Sequence, residues 1–135
     1  MNARVAGMID TLCKKSQDFS LPGNILSNII YLNYLSNEWS QLNQTPYNTM
    51  SYYDVRRQEV SDNIQRIIVG LIEKIPNYRI STDLVMIFSE MVVNYMDSIS
   101  NDESKVDELA NAFDNMMITY KMPNNFENVF SKMAI

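Results

Sequence analysis

The stretch Val106-Asp107-Glu108-Leu109-Ala110-Asn111-Ala112-Phe113-Asp114-Asn115-Met116-Met117-Ile118-Thr119-Tyr120 decides the fold. Its apolar members Val106, Leu109, Ala110, Phe113, Met116, Met117 and Tyr120 recur at steps of three and four, so they share one face of a 3.6-residue turn. The spacing predicts an amphipathic helix. Immediately upstream, Ser100 and Glu103 read as an S-x-x-E capping box that opens it.

Working back along the chain, the same rhythm returns four times. Ser81 or Thr82 caps a helix whose face is Leu84, Phe88, Met91, Val92, Tyr95, Met96 and Ile99. Before it, Ser51 with Asp54 opens a long helix carrying Val60, Ile64, Ile67, Ile68, Leu71, Ile72 and Ile75, which Pro76-Asn77 stops. That stretch is rich in isoleucine, but it shows no period-two alternation and is too long for a strand. Thr45-Pro46 and Tyr47-Asn48 mark a loop over residues 44–50. After Leu21-Pro22-Gly23, a helix carries Ile25, Ile29, Leu32, Leu35, Trp39 and Leu42, with Tyr31 and Tyr34 towards its flanks. The first helix spans about residues 3–15, with Val5, Met8, Ile9 and Leu12 inward and Lys14 and Lys15 against its C-terminal dipole. Downstream, Asn124 or Asn125 after Pro123 caps a short terminal helix with Phe126, Val129, Phe130 and Met133 on one side. The expectation is an all-α, single-domain bundle over residues 1–135, with five to six mostly antiparallel helices. Its body lies at residues 24–43, 52–75, 82–99 and 103–121.

Composition narrows the chemistry. The chain has no histidine, the commonest general base near neutral pH and the commonest zinc ligand. Ser-His-Asp and Cys-His triads, H-E-x-x-H zinc sites and Glu-x-x-His di-iron sites are thereby excluded. Cys13 stands alone, so neither an internal disulfide nor a CxxC site can form. No glycine-rich phosphate loop or EF-hand loop occurs. Carboxylates remain: Glu90 and Asp97 share one helix face, and Glu103, Asp107 and Asp114 share another, both opposite apolar stripes as solvated faces should be. The reading calls for no catalytic residue, no cofactor and no metal.

Charge is uneven. Residues 1–80 hold eight Lys/Arg against seven Asp/Glu, and residues 81–135 hold three against nine, so the net charge of −5 resides in the second part. A nucleic-acid surface would therefore fall in the first part. Tyr52, Tyr53, Arg56, Arg57 and Arg66 form the candidate there, since phenol rings stack on bases and guanidinium groups grip phosphates. Asp54, Glu59 and Asp62 lie at helical spacing among those arginines, and ion pairing would occupy them equally well.

Ten methionines are the remaining excess. Methionine fills gaps in cores and also lines surfaces that accommodate partner helices. Met116, Met117, Phe126 and Phe130 are the candidate protein-contact residues. The expected function is that of a non-catalytic helical interaction or assembly protein that self-associates or binds a protein partner; the alternative is a small nucleic-acid-binding module using residues 47–66. Sixteen asparagines point to an AT-rich genome, such as that of a phage, a eukaryotic virus or a low-GC bacterium, and a phage or viral accessory or host-modulating factor is the expected setting. The first residues lack the pattern of a secretory signal, and no apolar run reaches the roughly 20 residues a bilayer span needs. The expected location is the cytoplasm, of a cell or an infected host, without membrane association.

Overall fold

Five α-helices account for most of the chain in the computed structural model, which describes residues 1–44 and 50–120. They are α1 (Ala3–Ser16), α2 (Gly23–Asn43), α3 (Met50–Lys74), α4 (Thr82–Ser98) and α5 (Glu103–Tyr120), with a 3₁₀ turn at Ile75–Asn77. No strand occurs among the described residues. The fold is the all-α helical bundle that the periodicity predicts, and the ends of the four long helices fall within two residues of expectation. The terminal helix expected after Pro123 lies outside the described residues.

The helix starts differ from expectation in their chemistry. α5 is capped by Asp102, whose Oδ1 accepts from the Lys105 backbone N–H at 3.3 Å and from the Ser104 hydroxyl at 2.9 Å. Ser100 sits in the preceding turn, its N–H on the Asp97 carbonyl, so the Ser100–Glu103 box does not form. Aspartate is the better cap here, because its charge also complements the positive end of the helix dipole. Those hydrogen bonds hold the Asp102 carboxyl below its ordinary pKa, the Ser104 hydroxyl contributing most. Ser51 is likewise no cap, being already inside α3. At the other end of the chain, Asn2 caps α1 by accepting from the Val5 N–H at 3.0 Å. Ser81 precedes α4 without a side-chain cap bond.

Packing order follows from the buried faces. α2 lies against α1 and α3, α1 against α4, α3 against α5, and α5 closes back on α4. One apolar cluster joins side chains from every helix. α4 is its most enclosed member: Leu84, Val85, Phe88, Ser89, Met91, Val92, Val93, Tyr95 and Met96 are all buried. Only a narrow stripe through Asp83, Glu90 and Asp97 is fully exposed, as expected of a helix apolar on most of its circumference. Phe88 and Phe113 are the largest fully buried side chains, and cutting either to alanine should cost about 3–5 kcal/mol.

Two polar ties fix the helices in register. In the core, the Tyr95 hydroxyl donates to Gln65 Oε1 at 2.8 Å, and Gln65 Nε2 donates to the Lys105 carbonyl at 3.3 Å, linking α4, α3 and α5. Burial, with lesser contributions from Asp62, Asp102 and Glu108, pushes the Tyr95 phenol well above its ordinary pKa. At the end of α5, the Tyr120 hydroxyl lies 2.9 Å from the Tyr78 carbonyl and 3.1 Å from that of Ile75, and it accepts from the Ile80 N–H at 3.4 Å. The Tyr78 hydroxyl in turn accepts from Asn24 Nδ2 at 2.7 Å. The first turn of α2 is thus anchored to the turn following α3.

Candidate interaction surface

α2 carries more apolar side chains than its buried face needs. Ile25, Ile29, Leu32, Leu35 and Leu42 point into the core. Ile30, Tyr31 and Tyr34 point out of it, with 48%, 46% and 63% of their surface exposed. These are three of the five large hydrophobic side chains exposed among the described residues, and they adjoin one another. The Tyr31 and Tyr34 rings stack with centroids 6.3 Å apart and planes 20° from parallel. That geometry lies within the range aromatic pairs prefer, so the two rings brace each other.

The charge around this face is equally distinctive. From Gly23 to Asn37 the helix carries no charged residue. The next position, Glu38, is engaged by Arg56 through two hydrogen bonds of 2.7 Å, and Arg56 also reaches Glu59 at 3.0 Å. Those Arg56 hydrogen bonds hold the Glu38 carboxyl below its ordinary value. Arg57 donates to the Leu42 carbonyl at 3.0 and 3.3 Å and to Asp54 at 2.8 Å. One guanidinium therefore satisfies an orphan carbonyl at the end of α2, and both tie that end to α3. With Asn24 held at one end and Glu38 and Leu42 at the other, the outer face of α2 is rigidly presented.

The same contacts place the arginines that the sequence singled out. Arg56 and Arg57 have partners within the chain, Tyr53 packs half-buried against the core, and Arg66 is exposed with its guanidinium on Asn63 Oδ1 at 2.9 Å. The structure brings them to no common basic surface. Tyr52 offers no described side chain. Of the candidate contact residues, Met116 is fully buried and Met117 is half-buried against the core. Met116 thus packs α5 and has no surface for a partner. Phe126 and Phe130 lie outside the described residues.

Elsewhere the surface offers less. Glu90, Asp97, Glu103, Asp107 and Asp114 are all exposed, and Cys13 is buried in the core. Among the described residues, no three Cys, Asp or Glu side chains gather as a metal-binding group. α3 and α5 leave between them an open groove of about 510 and 390 Å³ in two stretches, with Glu73 and Glu108 lining both. The one polar side chain lining it that is more than nine-tenths buried, Gln65, is committed to Tyr95 and Lys105. No described helix is long and apolar enough to cross a membrane.

Sequence reasoning placed Tyr31 and Tyr34 on the flanks of α2 but gave them no role, and it passed over Ile30. The signal was present, because a helix with apolar side chains on both sides exceeds what one buried stripe requires. Compared with known proteins, the chain matches no family model, no curated protein and no solved structure.

Proposed function

We propose that this chain is a non-catalytic helical interaction protein whose contact surface is the outer face of α2. The observation that carries the reading is the exposure of Ile30, Tyr31 and Tyr34 side by side on a charge-free, anchored helix face. Tyrosine is enriched where proteins meet, since it brings a large apolar area at small conformational cost. Two tyrosine rings already stacked lose still less freedom on contact. Of the residues the sequence favoured, Met116 is enclosed in the core and Met117 is half-buried, whereas Phe126 and Phe130 lie outside the described residues and keep their candidacy. The asparagine-rich composition suits an AT-rich genome, and an accessory or assembly role in the cytoplasm of a cell or an infected host is part of the proposal.

Hydroxyl-radical footprinting, read tyrosine by tyrosine, tests this directly. Tyr31 and Tyr34 should be protected in an extract of producing cells and should react readily in the purified chain diluted to its monomer. Equal labelling of both tyrosines in the two samples would overturn the proposal.

A further inference from the structure

Resting on that reading, we infer that the occupant of the α2 face is a second copy of this chain, paired about a two-fold axis with the two α2 helices antiparallel.

The outer face keeps the same spacing from either end. Gly23, Ser27, Ile30, Tyr34, Asn37 and Gln41 are all exposed and fall at steps of four, three, four, three and four. Turned end for end, the series sets Ile30 of one copy against Tyr34 of the other and Ser27 against Asn37. A two-fold interface requires such self-complementarity, because the same patch serves both partners.

Charge selects both the partner and the direction. Each copy carries a net charge of −5, and the run from Gly23 to Asn37 is a face free of that charge. A like-charged copy therefore meets least repulsion there, whereas a cationic partner would be drawn to the acidic α5 instead. At the C-terminal end of the face, Glu38, Arg56 and Glu59 together leave one negative charge. Parallel helices would bring two such groups together. Antiparallel helices set each beside the partner's α2 N-terminus, where the first turn holds no acid and the dipole is positive.

The area is of the right order. Ile30, Tyr31 and Tyr34 expose about 300 Å² per copy, taking roughly 200 Å² for a whole tyrosine. A stable interface buries about 800 Å² per partner, with an apolar centre and a polar rim. The three side chains supply the centre, and the serine, asparagine and glutamine side chains along the rest of α2, about 30 Å long in all, supply the rim.

Light scattering of the purified chain, combined with cysteine pairing, decides the matter. The expected mass is twice 15.7 kDa, and Ile30→Asp should return it to a monomer with unchanged helical circular dichroism. Under copper–phenanthroline and air, an equimolar mixture of the Ser27→Cys and Asn37→Cys variants should yield the mixed disulfide. Neither variant alone should cross-link, because identical positions would lie about 15 Å apart along antiparallel helices. Cross-linking of each variant with itself would overturn the antiparallel arrangement. A monomeric wild type whose Tyr31 and Tyr34 are still protected in the cell extract would sink the second-copy inference and leave the α2 reading standing. A monomer that dimerises only after removal of residues 121–135 would assign the face to the chain's own C-terminal segment, which equally refutes it.

Discussion

Tyr95→Phe removes a single oxygen atom and probes the polar connection that links α3, α4 and α5 in the core. Tyr95 is 3% exposed and Gln65 is 7% exposed, so each group is largely shielded from water when its partner is lost. A neutral hydrogen bond such as the 2.8 Å contact from the Tyr95 hydroxyl to Gln65 Oε1 is worth about 1 kcal/mol net. Leaving the Gln65 oxygen buried and unpaired raises the expected loss to about 1–3 kcal/mol. Gln65→Leu should fall in the same range, since it strands the tyrosine hydroxyl and also gives up the weaker bond to the Lys105 carbonyl. The double variant should be no worse than the worse single one, because an apolar pair leaves nothing unsatisfied, and the coupling should reach about 1 kcal/mol or more. Urea unfolding followed by circular dichroism reads these differences at unchanged m-value. Each kcal/mol should move the thermal midpoint by roughly 3–5 °C in a chain of this size. A Tyr95→Phe variant within 0.5 kcal/mol of wild type, or a double variant equal to the sum of the singles, would refute the reasoning.

Ser89 sits fully buried in α4 with a hydroxyl that finds no hydrogen-bond partner. Ser89→Ala should therefore raise stability by about 1 kcal/mol, seen as a higher urea midpoint; a fall would show that the hydroxyl is bonded. Glu38 titrates below its ordinary value of 4.5 in the fold because of Arg56. A carboxyl with a depressed folded pKa contributes stability above its unfolded pKa and loses it as pH falls through the folded value. The advantage of wild type over Glu38→Gln should thus hold from neutrality down to about pH 4.5 and shrink below it. A gap independent of pH across that window, measured by urea midpoints, would count against the pair's contribution.

Where the sequence was legible, the reason is that burial dictated it. The spacing of Val60, Ile64, Ile68, Leu71 and Ile72 admits one face and one partner side, and all five side chains are buried. The helix starts were harder to read because capping depends on a difference of one or two positions among residues that are all good caps. Ser100, Asn101 and Asp102 are consecutive, and the backbone geometry of the turn selects the aspartate. The α4 face was read too narrowly for a similar reason. Val85, Ser89 and Val93 lie off the main stripe, and only the packing of other helices against more than one side of α4 buries them. The pairing of Arg56 with Glu38 spans eighteen residues and the connection between two helices, so no local rule reaches it.

The outer face of α2 was legible in a different sense, by subtraction. A helix at the edge of a bundle needs one apolar stripe, and Ile25, Ile29, Leu32 and Leu35 already provide it. Single exposed hydrophobic side chains are ordinary on protein surfaces and call for no account. Three so close along one helix, two of them stacked aromatics, on a run of fifteen helical residues without a charge, are a departure from that background. Packing within the chain accounts for them only in part, since about half of Ile30 and of Tyr31 and nearly two-thirds of Tyr34 stay exposed. A contact surface is the account proposed for them. Met116 fails the same test, because it is fully buried in the packing of α5, while Met117 is only half-covered by that packing.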